Sequence, residues 1–444
     1  MILTVTLNPA LDVTYDVDAL VVDATNRVAG MSVQAGGKGV NVARLLRLLG
    51  TAGDTSSGSG GFGRPFGRPG EAARGTEIVA LGFAGGVTGG ELLADLDRAG
   101  IGHAFVACAG ETRRTVAVVD GGAGTVTMLN EPGPVVTPGE WEALRDRLEG
   151  LLPEASAVVL SGSLPPGLPP DAYATLVRLA TGHGVPAVLD TSGTALRLAL
   201  RAGPEIVKPN AAELAGALSA SVAGPAPPWP ATGPEAGRAT GPEAGPGMGS
   251  AAGRARGSAS SSVSGSAAAS LAGSVAGSVT EHAAPAGRLP GADPGPSGLA
   301  GLAGLAGLAG GAAWMRGEGA RAVVVSDGPR GLYADTPDGR WRAVPPEVPG
   351  GNPTGAGDAV VAALALGLVS GWDWPRALVE AAALSAAAVG HPVAGRVDPE
   401  PYLGHVDRVH VDRVHLDRVH LDRVRPDRVR PEDAHEESEG TSCR

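Results

Sequence analysis

Short apolar segments alternate with helix-patterned segments along most of this 444-residue chain. "ILTVTL", "EIVALGF", "AVVLSGS", "PAVLD", "EIVKPN" and "AVVVSDG" read as strands that are apolar on both faces. Between them, "KGVNVARLLRLLG", "TGGELLADLDRAG", "PPDAYATLVRLATGHG" and "TSGTALRLALRAG" carry helical spacing. Strands buried on both faces and joined through helices call for a mostly parallel sheet covered on two sides. The expected fold class is therefore α/β, with a mostly parallel central sheet flanked by helices. Two regions break the rhythm. Residues of about 12–34 and 103–130 alternate apolar and polar, and predict a small antiparallel β lid outside the main sheet. In open α/β sheets, ligands collect at the carboxyl ends of the strands.

Three stretches lack such patterning. Residues of about 51–76 are rich in Gly, Ser and Pro and read as a flexible surface insert. Residues of about 219–309 form a longer low-complexity insert ending in "GLAGLAGLAGLAGG", part of which extends a helix through "AAWMRGEGAR". Residues 403–444 carry a charged pentapeptide repeat, "HVDRVHVDRVHLDRV", whose period matches neither a strand nor a heptad. It is read as a solvated tail. One catalytic-size domain over 1–402 remains.

The formal net charge is -11, which argues against nucleic acid as a partner, because phosphate backbones select basic surfaces. Cys108 and Cys443 stand far apart and imply no disulfide framework. The start, "MILTVTLNPALDVTY", has no basic stretch followed by an apolar core, so a cytoplasmic protein without a membrane span is expected. The basic residues are almost all arginine; the only lysines are Lys38 and Lys208, both in motif-like surroundings. A chain that otherwise avoids lysine and keeps it at two such points suggests a need for compact ammonium groups there.

Two glycine turns each open a helix: "AGGKG" and "TGAGD". Neither is a Walker A loop or a dinucleotide fingerprint. Helix N-termini attract anions, so the pair suggests two anionic ligands. Gly36 and Gly37 let a substrate approach the backbone, Lys38 adds a point charge, and Asn41 adds an amide one turn on. Asp358 is a lone acid at the second turn. It reads either as a helix cap or as a group that does chemistry.

"AGGKGVNVAR" and "NPTGAGDAVVAALALGL" resemble the two signatures of the ribokinase-like, PfkB-type sugar kinases. "TLNPALD", "GETRRT", "NEPGP", "SGSLPPG" and "KPNAAE" are similar to motifs of the branch containing 1-phosphofructokinase and tagatose-6-phosphate kinase. The resemblance covers about residues 1–50, 77–218 and 312–395. It implies that Asp358 is the catalytic base and that the N–H groups of Gly355, Ala356 and Gly357 form the anion hole for the transferring phosphoryl. It implies that Asp12 holds sugar hydroxyls and that Lys38 and Arg113 hold the phosphate already on the substrate, with Gly36, Gly37, Asn41 and Ser161 in the same subsite. Lys208, Asn210 and Glu213 match the nucleotide and magnesium region, Glu213 reaching Mg²⁺ through water. Ser326, Gly328 and Gly331 of "SDGPRG" match the nucleotide-side loop. The chain departs from the branch at Thr115, where an Asn is usual, and at Asp327 and Ala359.

The resemblance thus implies an enzyme using ATP and Mg²⁺ to phosphorylate a hexose phosphate, first of all D-fructose 1-phosphate. Tagatose 6-phosphate or fructose 6-phosphate is the alternative substrate, and a non-catalytic sugar-phosphate sensor the alternative of another kind. Lids of this family pair between subunits, which implies a homodimer.

Overall fold

The computed structural model describes residues 1–51, 75–222, 304–349, 351, 353–391, 393 and 395–415. The expected insert of residues 51–76 therefore lies, but for its ends, outside the described residues, as do most of the insert of 219–309 and the tail from 416 on.

The main sheet is built on β1 (Ile2–Thr6), β4 (Ile78–Ala84), β9 (Ala157–Ser161), β10 (Ala187–Asp190), β11 (Ile206–Val207) and β12 (Ala322–Ser326). Their spatial order is β4-β1-β9-β10-β11-β12, all neighbours parallel. At one end, β5 (Gly102–His103) and β6 (Val106–Ala107) pair parallel with β4. At the other end, β13 (Leu332–Thr336), β14 (Gly339–Val344) and β15 (His410–Arg413) add antiparallel strands.

The parallel strands are buried on both sides because helices cover both. Ile2, Ala80, Val159 and Val188 face one apolar core with α1 (Lys38–Thr51), α2 (Gly86–Arg98), α8 (Ala356–Val369) and α9 (Trp374–Gly390). Leu3, Val5, Val158 and Leu189 face a second with α3 (Pro138–Leu151), α4 (Ala172–Gly182), α5 (Gly193–Leu200), α6 (Ala211–Val222) and α7 (Leu305–Gly317). α8 is buried all round from Asp358 to Gly367, as its unbroken apolar run requires. α7 contains the glycine-rich "LAGLAGG", a poor helix former on propensity. Packing supplies the reason: a β-carbon at Gly311 would lie 2.8 Å from Leu214 Cδ2 on α6. No helix among the described residues is long and apolar enough to cross a membrane.

The lid is a separate four-stranded sheet in the order β3 (Val28–Gly36), β2 (Ala10–Val17), β7 (Arg113–Asp120), β8 (Thr125–Asn130). Its outer pairs are antiparallel, while β2 and β7 run parallel and set Asp12 opposite Thr115. Two boundaries differ from the sequence expectation. Residues 102–107 belong to the main sheet, so the second lid segment begins at Arg113. Regular structure also continues beyond residue 402: α10 (Pro399–Val406) packs Tyr402 into the core, and the repeat unit 410–413 is strand β15. A five-residue period hides a four-residue strand, and its pairing comes from an open sheet edge that the repeat itself does not reveal.

Candidate active site

The strands β9, β10 and β11 end side by side, and each delivers a polar group at its carboxyl end. Ser161 closes β9, Asp190 closes β10, and Lys208 follows β11. Asp190 is buried to 1% exposure. It accepts a hydrogen bond from Ser161 Oγ at 3.2 Å and another from Lys38 Nζ at 3.3 Å, and pairs with Lys208 Nζ at 3.4 Å. Both lysines of the chain therefore converge on one carboxylate. A buried charge needs such pairing, since its desolvation cost is otherwise uncompensated.

Lys38 opens α1 directly after Gly37, whose φ of +101° is a left-handed conformation that favours glycine. A β-carbon there would also approach Thr6 Cγ2 to 3.0 Å. Besides Asp190, Lys38 Nζ donates to Glu213 Oε1 at 3.4 Å. Burial works against its charge, but Asp190, Glu213 and Asp358 outweigh that and hold its pKa above the usual lysine range. Glu213 and Asn210 form a reciprocal cap at the start of α6. Glu213 N–H donates to Asn210 Oδ1 at 2.8 Å, and Asn210 N–H to Glu213 Oε2 at 2.9 Å. One Glu213 oxygen thus caps the helix while the other faces Lys38.

α8 begins at Gly355, with φ of +88°, and carries Asp358 in its first turn at 6% exposure. Ala356 N–H closes the turn on Pro353 O at 3.2 Å. Gly357 lies against Lys208: a β-carbon there would be 3.3 Å from Nζ. Asn41 Nδ2, on α1, donates to Asp358 Oδ2 at 2.9 Å. Behind Asn41, Gly395 leaves room for it, since a β-carbon at that glycine would lie 2.9 Å from Asn41 Cγ. Burial and the nearby charge of Asp190 push the Asp358 carboxyl up to about 7, against the opposing pull of Asn41, Lys38 and Lys208. A carboxyl poised near neutrality can take a proton and release it.

A second cluster lies on the lid. Burial raises the Asp12 pKa to about 6, although Arg113, a hydrogen bond to Thr115, and Arg44 favour its charged form. Arg113 donates from Nε to Asn8 O at 3.2 Å and from Nη1 to Thr115 Oγ and to Glu131 O, both at 3.3 Å. Burial lowers its pKa, opposed by Asp12 and Glu131. Thr115, a departure from the family pattern, therefore bridges the arginine and the carboxylate. Gly36 packs on Asp12 so closely that a β-carbon would overlap the carboxylate.

Lys38, Asn41, Ser161, Lys208, Glu213 and Asp358 form one connected group, joined to Asp12, Gly36 and Arg113 through the turn at Gly37. Ser161 is fully buried and supports Asp190. The contacts of Lys38 are to Asp190 and Glu213, apart from those of Arg113. On the nucleotide-side loop, Ser326 pairs with Asn210 in a parallel bridge. Gly328 and Gly331 lie in the adjacent turn, which Arg330 braces by donating to both Asp327 oxygens at 2.7 Å. Asp190 was missed by the sequence reading. Its one signal was a carboxylate ending the apolar run "PAVLD" at the carboxyl end of a strand.

The fold, a mostly parallel sheet between helices with a small separate lid sheet, is that of a sugar-kinase family. The model of the pfkB family carbohydrate kinases matches residues 5–224 and 297–401, and the chain belongs to that family. Among solved structures, phosphofructokinase-2 from Escherichia coli is similar at 22% identity and a TM-score of 0.64, covering 92% of this chain and 98% of that one. A Thermotoga maritima protein described as a possible 1-phosphofructokinase is similar at 22% identity and a TM-score of 0.59, covering 94% and 100%. At that identity the likeness speaks for the fold.

Proposed function

We propose that this chain transfers a phosphoryl group from ATP to a hexose phosphate, D-fructose 1-phosphate first, giving fructose 1,6-bisphosphate. The observation that carries the reading is Asp358: a buried carboxyl poised near neutrality, at a glycine turn, fixed by Asn41 and flanked by both lysines. In this reading Asp358 takes the proton from the acceptor hydroxyl. Phosphoryl transfer depends chiefly on positioning and charge neutralisation, which lysines and first-turn amides provide. Lys208, beside Gly357, neutralises the transferring group together with the N–H groups of Gly355 and Gly357, the Ala356 N–H being taken up by Pro353 O. Asp12 holds sugar hydroxyls. Arg113 holds the substrate's own phosphate with Lys38, which also spans toward Glu213 on the nucleotide side.

Magnesium prefers hard oxygen ligands and keeps several waters. Glu213, a carboxylate still partly exposed beside Lys38, is a donor of that kind and would hold Mg²⁺ through its water shell, whereas Asp190 is buried and bonded at both oxygens. ATP with Mg²⁺ supplies the phosphoryl group and screens its charge.

Fructose 6-phosphate is the rival acceptor, because an E. coli phosphofructokinase-2 structure similar to this chain at 22% identity is a complex with that sugar. ADP release measured over a panel of hexoses and hexose monophosphates separates the readings. The largest kcat/KM is expected with fructose 1-phosphate, and no ADP release with any sugar would point to a sensor. The lid exposes Met31, Val33, Met128 and Leu129, apolar side chains suited to pairing two subunits, so a cytoplasmic homodimer is part of the proposal.

A further inference from the structure

At the antiparallel end of the main sheet, a cavity of about 430 Å³ opens between the end of α7, the β13–β14 hairpin and β15. Its lining includes Arg316, Asp335, Thr336, Arg340, Arg413 and His415. Asp335 is buried to 2% exposure and both of its oxygens are bonded. Arg316 Nη1 donates to Oδ1 at 2.6 Å and also to Thr336 O at 3.1 Å, while Arg340 Nε donates to Oδ2 at 3.2 Å. One carboxylate thus faces two guanidinium groups, each about a third exposed.

Arg413 adds a third cation, and no carboxylate holds it among the described residues. It donates to the Asp338 carbonyl at 2.9 Å, and its guanidinium lies 5.4 Å over the Trp341 ring. Gly339, with φ of +137°, makes room for it, since a β-carbon there would come to 2.9 Å from Arg413 Nη2. Among the described residues that line it, three permanent cations against one carboxylate leave an excess of positive charge, in a chain whose formal net charge is -11. Guanidinium groups with spare donors match phosphate oxygens in geometry as well as in charge. The volume lies within the roughly 300–1,000 Å³ common to small-molecule sites.

We propose that this cavity binds a phosphate-bearing small molecule, at a second site apart from the kinase centre. Its position defines what the ligand would do. β13 runs from Leu332, paired with Ser326 of the nucleotide-side loop, to Thr336 at the cavity. At roughly 3.3 Å per residue this separates the cavity from that loop by about 13 Å of strand. A ligand bridging Arg340 and Arg413 would clamp β14 to β15, and so tie the repeat-derived strand to the sheet. The site is independent of which sugar the kinase centre accepts.

Amide hydrogen exchange on the full chain tests this, because it localises binding and separates it from the kinase centre. Inorganic phosphate is titrated while protection is followed at residues 339–344 and 410–413. Protection with a saturable midpoint is expected, and the Arg413→Gln variant should need about tenfold more phosphate or more. That variant leaves both Asp335 pairs in place, so its kinase kinetics at low phosphate should match wild type. Arg340→Gln, which leaves Asp335 paired with Arg316, is the second variant and should shift the midpoint in the same direction. A parallel titration with fructose 1,6-bisphosphate identifies the source: a lower midpoint marks a phosphorylated metabolite, an equal one free phosphate. No protection at saturating phosphate, or an unchanged midpoint in both variants, would overturn the proposal.

Discussion

Asn41 Nδ2 donates to Asp358 Oδ2 at 2.9 Å, joining the first turn of α1 to the first turn of α8 across more than three hundred residues of chain. This bond favours the charged carboxylate, while burial and Asp190 favour the neutral acid. Removing the donor should therefore raise the Asp358 pKa above about 7. In Asn41→Leu, the acid limb of the kcat/KM–pH profile is expected to move to higher pH. An unchanged or lower limb would show that Asn41 does not tune the base.

Asp190 acts on the same carboxyl with the opposite sign. Its charge raises the Asp358 pKa, so Asp190→Asn should shift the acid limb to lower pH. The substitution also leaves the buried Lys208 without its counter-charge. Breaking one partner of a buried pair typically costs about 3–5 kcal/mol. Urea denaturation should report a loss of that order, and a loss within experimental error of zero would remove Asp190 from the centre of the network.

Stability should carry the same signature. An acid whose folded pKa lies above its unfolded value binds more protons when folded. Its contribution is full below about pH 4 and falls as pH rises toward about 7, by up to roughly 1.4 kcal/mol per pH unit. Asp358→Asn removes that loss, so the variant should melt higher than wild type at pH 8 and show a smaller advantage at pH 4. Equal melting temperatures at both values would mean that the carboxyl is not held neutral by the fold.

Most of the fold was legible because short apolar strands alternating with helices leave few architectures open. The core strands β1, β4, β9, β10 and β12 stand where their apolar runs put them. What stayed hidden has particular causes. "HAFVA" alternates like a lid strand, yet residues 102–107 pair with β4, and alternation does not say which sheet a strand joins. β15 lies inside a repeat, and its partner is a sheet edge assembled from residues some seventy positions earlier. At the site, Asp358, Lys38, Asn41, Lys208 and Glu213 could be picked out from the glycine turns, the scarcity of lysine and the family resemblance. Asp190 could not, because a single acid ending an apolar strand looks like an ordinary strand terminus until Lys208, after the neighbouring strand, and Lys38, at the start of α1, converge on it.

Sugar recognition should depend on the absence of a side chain at Gly36. A methyl group there would overlap the Asp12 carboxylate. Gly36→Ala is expected to raise KM for the sugar phosphate about tenfold or more while leaving KM for ATP nearly unchanged, as loss of a well-placed charge-assisted hydrogen bond would. Equal changes in both constants would place Asp12 elsewhere in the mechanism.

α6 and α7 pack directly on one another, with Gly311 against Leu214, so the chain between them need not be long. Replacing residues 223–303 by a short Gly-Ser linker should preserve kcat within about twofold, since loop-closure entropy changes slowly with loop length. Loss of turnover with an unchanged melting temperature would assign that segment a role in catalysis.

The central claim is that Asp358 is the base of a hexose-phosphate kinase. Single-turnover ADP formation with ATP, Mg²⁺ and fructose 1-phosphate, compared between wild type and Asp358→Asn, tests it most directly. General-base removal should slow the chemical step by about 10²–10⁴-fold, with sugar-phosphate affinity by calorimetry unchanged. A variant that keeps more than about half of the wild-type rate, outside that range altogether, would contradict the account.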